Sequence, residues 1–127
     1  MSDVVLDASA LLAAINNEPG GERVKPLLRR ALVSSVNLSE TAAVLLAIGV
    51  AATTVRSGLS QLGVTTVPFD DALAFAAADL RPLTRPAGLS FGDRACLALA
   101  LQRQLPVLTA DRAWTRVGLG LEVRLIR

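Results

Sequence analysis

Four acidic residues stand out because each follows a predicted strand or begins a predicted helix. Asp7 directly follows the first apolar run, and Asp111 lies just past a late one. Glu40 and Asp93 fall in the first turns of two predicted helices. Carboxylates are preferred ligands of Mg²⁺ and Mn²⁺, and such ions can activate water and stabilise the leaving oxygen of a phosphodiester. The residue types therefore predict a metal-dependent phosphoryl-transfer site.

Each of these acids also fits a purely structural role at the start of a helix. Asn37–Glu40 and Ser90–Asp93 both resemble capping boxes, while Asp7 and Asp111 each stand just before a predicted helix. Taken singly, capping is favoured for every acid except Asp7. There the two interpretations are balanced, because an acid in an apolar junction is costly unless something compensates it. The expected convergence of all four on one edge favours a metal site.

The absence of two residue types narrows the chemistry. The chain has no histidine and no tyrosine, which excludes a Ser-His-Asp triad and removes the commonest zinc ligands. The single cysteine, Cys96, lies in the apolar run ACLALAL and is predicted to be a buried packing residue. It cannot form an internal disulfide, and no secretory signal or membrane-length apolar run is visible. We therefore expect a cytoplasmic protein without membrane association.

Short apolar strands alternate with helical stretches along the 127 residues. The pattern predicts strands over residues 4–6, 32–34, 64–67, 106–108 and 122–126. Helices are predicted over residues 8–15, 22–32, 37–48, 50–62, 70–80, 91–102 and 112–117, with a loop over 81–88. Such alternation implies an α/β fold with a parallel sheet covered on both faces. We expect a single domain over residues 1–127, with its ligand site beyond the carboxyl ends of the strands.

Four segments resemble the successive motifs of the PIN-domain nucleases, and most closely those of VapC-type toxins. They are VVLDASALLAAI, NLSETAAVL, LSFGDRACLALA and VLTADRAW. The resemblance runs from Val4 to the last predicted strand. It implies a PIN-like, Rossmann-like parallel sheet of about five strands and a Mg²⁺- or Mn²⁺-dependent endoribonuclease. It also implies a homodimer that a cognate VapB-like antitoxin neutralises.

The resemblance also implies roles for single residues. Its catalytic and metal-binding acids are Asp7, Glu40, Asp93 and Asp111, with the first, third and fourth as the direct ligands. The residues that orient the site are Ser9, Asn37 and Thr109, for which local capping or turn hydrogen bonds are an equally good explanation. The expected reaction is hydrolysis of single-stranded or loop RNA to 3′-hydroxyl and 5′-phosphate ends.

Two other functions are compatible with parts of this pattern. A PIN-fold protein-interaction module would not need to cleave RNA, but all four acids are present. A small phosphatase could also use an aspartate after the first strand. Such enzymes generally need a lysine late in the chain, and the only lysine is Lys25. Both comparisons favour the nuclease.

Arginine supplies 12 of the 13 basic residues. Its planar fork can donate two parallel hydrogen bonds to a phosphate. If four of the 11 acids belong to the site, seven acids remain against 13 basic residues, a modest attraction for a polyanion. The candidate RNA contacts are Arg85, Arg94, Arg112 and Arg116. Solvated surface is the alternative, as are salt bridges for Arg94 and Arg112, which directly follow acids.

The segment Thr41–Val55 carries no charge and is apolar around most of a helix circumference. We expect one face to pack on the sheet and another to contact a second copy of the chain or an antitoxin segment. A wholly internal helix is the alternative.

Overall fold

A computed structural model describes all 127 residues. Five short strands form one sheet: β1 Val4–Leu6, β2 Ala31–Ser34, β3 Thr65–Val67, β4 Val107–Thr109 and β5 Val123–Leu125. All neighbouring strands are parallel, in the order β3-β2-β1-β4-β5. The predicted α/β fold with a five-stranded parallel sheet is confirmed. The strand order reverses beside β1, where sheets of this kind form their ligand crevice.

Seven α-helices flank the sheet: α1 Ala8–Asn16, α2 Gly21–Val24, α3 Ser35–Ala47, α4 Ala52–Ser60, α5 Asp71–Asp79, α6 Arg81–Thr84 and α7 Phe91–Arg103. Three 3₁₀ helices cover Lys25–Arg30, Arg85–Ala87 and Arg112–Arg116. None of the helices combines the length and the apolar character needed to cross a bilayer.

The core lies on both faces of the sheet, and β1 contributes to each. Val5 belongs to a buried cluster with side chains of α5, α7 and Trp114. Val4 and Leu6 point to the opposite face and belong to a cluster with α1 and α2. Side chains alternate between the faces of a strand, so an all-apolar strand is expected at the centre of such a sheet. The residue that follows β1 is thereby held in the middle of the molecule.

The start of α3 differs from the sequence-based expectation. Ser34 is the N-cap, and its hydroxyl accepts a hydrogen bond from the Val36 amide at 3.2 Å. Asn37 therefore lies inside the helix rather than at its cap. The interpretation of Asn37–Glu40 as a capping box is wrong, because the buried serine that ends β2 caps the helix first.

Prolines account for two further differences. The helix predicted over 22–32 is interrupted because the Pro26 ring cannot donate a backbone hydrogen bond, so α2 ends at Val24 and a 3₁₀ helix follows. The loop predicted over 81–88 contains α6 and a 3₁₀ helix, since Pro82 and Pro86 occupy first turns, where proline is tolerated.

We expect Gly21→Ala to destabilise the protein. A β-carbon at Gly21 would lie well inside 3.0 Å of the Ala13 carbonyl oxygen, which is backbone of α1 and cannot swing away. Such overpacking should lower the free energy of unfolding by about 1–3 kcal/mol, measured by urea denaturation. Gly58→Ala in α4 is the control, because a β-carbon there meets nothing within 4 Å. Equal stabilities for the two variants would contradict close packing of α1 on α2.

Candidate active site

Asp7 follows β1 directly and caps α1. The residue is only 5% exposed. Oδ1 accepts hydrogen bonds from the Ser9 hydroxyl at 2.7 Å and the Ala10 amide at 2.8 Å. Oδ2 accepts one from the Thr109 hydroxyl at 2.6 Å. Because Thr109 ends β4, this one carboxylate joins β1, α1 and β4.

The two hydroxyls that bind Asp7 also organise the segment after β4. Ser9 Oγ accepts a hydrogen bond from the Ala110 amide at 2.9 Å, and Thr109 Oγ1 accepts one from the Asp111 amide at 3.0 Å. The structure therefore places Ser9 and Thr109, the two hydroxyls predicted to orient the site, against Asp7. They also fix the backbone that carries Asp111.

Burial dominates the electrostatics of Asp7. It raises the pKa of this carboxyl from 3.8 to about 6. Hydrogen bonds from Thr109, Ser9 and Ala10 act in the opposite direction, and the negative charge of Asp93 adds a smaller increase. Lost hydration thus outweighs three well-formed hydrogen bonds. A buried, perturbed acid beside a second acid is typical of functional sites.

A second group of contacts joins α3 to α7. Asn37 is 1% exposed, and its Nδ2 donates to Glu40 Oε1 at 2.8 Å and to the Gly92 carbonyl at 3.0 Å. A β-carbon at Gly92 would lie well inside 3.0 Å of both Glu40 carboxylate oxygens. Glu40 therefore rests against the first turn of α7, immediately before Asp93. Sequence reasoning missed Gly92, although the glycine directly before the acid in SFGD was an available signal.

Asp93 forms the capping box predicted for α7. Its Oδ2 accepts a hydrogen bond from the Ser90 amide at 2.9 Å, and its own amide donates to Ser90 Oγ at 3.2 Å. This role leaves Oδ1 without a hydrogen bond to the capped turn, so capping and ligand binding are compatible.

Asp111 also caps, as its position indicated. It precedes the 3₁₀ helix Arg112–Arg116, and its Oδ1 accepts a hydrogen bond from the Ala113 amide at 2.9 Å. Its carboxylate is exposed, unlike that of Asp7. Asp111 thus lies at the same sheet edge as Asp7, two residues beyond the threonine that binds it.

The charges of three of the four acids affect the Cys96 thiol, which is buried in α7. Burial raises the pKa of the Cys96 thiol, and the charges of Asp7, Asp93 and Glu40 raise it further, in that order. No group of three or more acidic or cysteine side chains is nevertheless arranged to hold a metal ion. The carboxylates are thus near enough to influence the same thiol, but they do not converge on one point. Each accepts a hydrogen bond from a nearby N–H group instead. Asp7 accepts from the Ala10 amide, Asp93 from the Ser90 amide and Glu40 from the Asn37 side chain.

The donor chemistry of this region fits a hard divalent cation. Carboxylate, amide and hydroxyl oxygens surround the ends of β1 and β4, with no imidazole or exposed thiolate among them. Asn37 Oδ1 is in addition a buried acceptor without a hydrogen-bond partner. The residues therefore fit Mg²⁺ or Mn²⁺, and the ligand set itself remains a prediction.

The candidate RNA-binding arginines make no salt bridge. The ion pairs lie elsewhere and join Arg30 to Asp3, Arg124 to Glu122 and Arg127 to Glu18. The salt-bridge alternative for Arg94 and Arg112 is therefore wrong. Arg94 is half-buried and lies 5.8 Å from the centre of the Phe91 ring, while the other three candidates are exposed: Arg85, Arg112 and Arg116.

Comparison with known families agrees with this architecture. The family model described as the PIN domain matches residues 4–119. The chain therefore belongs to the PIN-domain family, as its motifs predicted. No curated protein sequence matches it.

Solved structures share the fold. The DNA-bound VapBC from Salmonella typhimurium has a TM-score of 0.76 at 19% identity and covers 100% of both chains. VapBC-5 from Mycobacterium tuberculosis, a member of the VapBC family of toxin-antitoxin systems, has a TM-score of 0.60 at 25% identity, covering 100% of this chain and 99% of its own. VapC20 from the same organism, a toxin that cleaves the sarcin-ricin loop, has a TM-score of 0.74 at 16% identity, covering 91% and 95%.

The raised pKa of Asp7 predicts a pH-dependent stability difference between wild type and Asp7→Asn. Between about pH 4 and pH 6 the folded chain keeps a proton that the unfolded chain has lost, so wild-type stability falls as pH rises through this range. A shift of about 2 pKa units corresponds to about 3 kcal/mol. In EDTA, Asp7→Asn should therefore be more stable than wild type at pH 7.5 and about equal at pH 4.

The matched control is Asp70→Asn. Asp70 caps α5 as Asp7 caps α1, with Oδ1 accepting the Leu73 amide at 3.0 Å, but its carboxylate is exposed. Asparagine is as good an N-cap as aspartate, so this change should leave the pH profile of unfolding unaltered. A difference between wild type and Asp7→Asn that does not vary with pH would refute the argument.

Proposed function

We propose that this chain is a Mg²⁺- or Mn²⁺-dependent endoribonuclease that hydrolyses phosphodiester bonds in single-stranded or loop RNA. Residues 1–127 act as a single PIN domain, a VapC-type toxin working in the cytoplasm. The observation that carries the proposal is the buried Asp7 carboxylate, fixed by Ser9 and Thr109 beside the charge of Asp93. Family membership and the neighbouring toxins support it.

The proposed roles of the side chains follow from the contacts that hold each of them. Asp7, Asp93 and Asp111 are the proposed direct ligands, and Asn37 holds Glu40 beside them. A bound divalent cation would supply Lewis-acid activation of water and offset charge on the phosphate. Three hydrogen bonds fix both oxygens of Asp7, so the position of this carboxylate is set by the fold. Exposed arginines at this edge would hold the RNA backbone.

The energetics favour this proposal over a non-cleaving interaction module. A buried carboxylate with a raised pKa destabilises the fold at neutral pH. A chain that only bound other proteins would gain stability from asparagine at position 7. Keeping the acid is understandable if its charge binds a cation.

The α3–α4 pair offers surfaces for protein partners. Val44 and Leu46 are exposed on α3, and Ile48 is exposed directly after its end, so the alternative of a wholly internal helix is wrong. An apolar groove of about 520 Å³ lies between α3, α4 and the edge strand β3, and a second of about 360 Å³ lies between α1, α3 and α4. We propose that a VapB-like antitoxin segment occupies the larger groove and that the exposed apolar face of α3 supports a homodimer.

The nuclease proposal is tested by removing single charges. Asp7→Asn and Asp93→Asn should each abolish divalent-dependent cleavage of single-stranded RNA. Cleavage is measured by sequencing the 5′ ends of the products. Mg²⁺ or Mn²⁺ should raise the melting temperature of wild type more than that of either variant, because a ligand stabilises the state that binds it. Asp70→Asn, with the same cap geometry, should keep both properties.

Two results would decide against the proposal. Wild-type protein that neither cleaves RNA nor gains stability from metal would refute the nuclease. Metal stabilisation without cleavage would favour the interaction module.

The contact between Gly92 and Glu40 gives a separate prediction. Gly92→Ala should displace the Glu40 carboxylate, since that flexible end can move while backbone cannot. Misplacing a catalytic group can lower the cleavage rate by about 100-fold. Stability should be largely kept, because Gly92 lies in the first turn of α7 and only the flexible end of the exposed Glu40 side chain has to move.

The double variant Gly92→Ala/Glu40→Ala provides the matched control. If both changes act through the Glu40 carboxylate, their effects on cleavage should not add. Full additivity, or unfolding of Gly92→Ala, would disprove this link.

A further inference from the structure

The aromatic residues are distributed unusually between core and surface. The chain has three phenylalanines and one tryptophan. Trp114 is 1% exposed, but Phe91, the first residue of α7, is 51% exposed. A single exposed apolar residue is normal and needs no explanation. The surroundings of Phe91 make it different.

Two contacts hold the Phe91 ring in place. Phe69 approaches it edge to face, with ring centres 5.6 Å apart and planes at 82°. The Arg94 guanidinium lies 5.8 Å from the ring centre. Phe69 is itself fixed, because its amide donates to Ser35 Oγ at 2.9 Å. The half-exposed ring is therefore supported by the connection between β3 and α5, which Ser35 of α3 holds in place, and by Arg94 of its own helix α7.

The helical turn that carries the ring also carries residues of the acidic site. Phe91 directly precedes Gly92, whose carbonyl binds Asn37 and whose α-carbon faces the Glu40 carboxylate. Asp93 follows one residue later. The positive charge of Arg94 lies on the same helical turn and is not consumed by any salt bridge. The Arg94 guanidinium donates one hydrogen bond, to the Ala77 carbonyl at 3.5 Å, and has no acidic partner. Carboxylates, this guanidinium and a supported aromatic ring thus share the start of α7.

We propose that Phe91 is a substrate-positioning residue on which a nucleobase next to the cleaved phosphate stacks, with Arg94 contacting the adjoining phosphate. This inference rests on the proposed nuclease function. Unstacked bases of single-stranded RNA bind aromatic side chains and arginine planes in this way. Stacking tolerates any base, so Phe91 orients the strand without selecting its sequence. A duplex would hide its bases, so this contact would favour the single strands or loops of the proposed function.

The test compares two RNAs that differ only in their bases. A fluorescent 12-nucleotide RNA and the same strand with abasic central residues are titrated with the full chain in EDTA, and Kd is read by anisotropy. Phe91→Leu should weaken binding of the base-bearing RNA by about 10-fold and leave the abasic RNA unchanged. Phe91→Trp should restore binding. Phe75→Leu is the control, since Phe75 is 73% exposed on α5 and outside the aromatic pair.

Several outcomes would overturn the inference. Equal losses for both RNAs, or an equal loss in Phe75→Leu, would show a structural or nonspecific effect. A changed oligomeric state of Phe91→Leu with unchanged Kd would identify a protein contact instead. If wild type cleaves RNA and Phe91→Leu binds it normally, stacking fails while the nuclease stands. A wild type that neither binds nor cleaves RNA refutes both.

Discussion

The hydrogen bonds around the Asp7 carboxylate are the constraint on which the centre of this protein depends. They join β1, α1 and β4 at the point where the strand order reverses. They do not fully compensate the charged carboxylate for the hydration it loses on burial, since the pKa of Asp7 stays at about 6. The fold therefore retains an unfavourable charge at its centre. Stability and the chemistry of the site are opposed at this residue.

Helix capping and site formation are the same arrangement here. Asp7 and Asp111 are N-caps, and Asp93 completes the capping box that Ser90 begins. All three lie where a helix begins at the carboxyl edge of the sheet, and the partial positive charge of a helix start favours an acid there. The residues that cap these helices therefore also place negative charge at the carboxyl edge of the sheet. Glu40 is the exception, because it lies beyond the first turn of α3 and reaches the site only through Asn37 and Gly92.

The sequence allowed accurate prediction where local rules apply. The alternation of apolar strands with helical stretches predicted the five strands. The same pattern placed Asp7 directly after β1 and Asp93 in the first turn of α7, where the structure has them. Contacts between distant segments could not be predicted in this way. The space at Gly92 depends on α3 approaching α7, and the Phe69–Phe91 pair on where β3 ends. The start of α3 was misplaced because a buried serine of β2 competed with Asn37 for the cap.

The hydrogen bond between Asp7 and Thr109 spans 102 residues of sequence. The conformational entropy of so long a loop is lost before the contacts between its ends can stabilise the chain. Pairing of this kind is therefore slow to form in folding. During synthesis, β1 emerges early but has no β4 beside it until most of the chain has been made. A chain that ends before β4 therefore lacks Thr109 and Asp111 and cannot complete the acidic edge. Each molecule acquires its site only as its last strands dock.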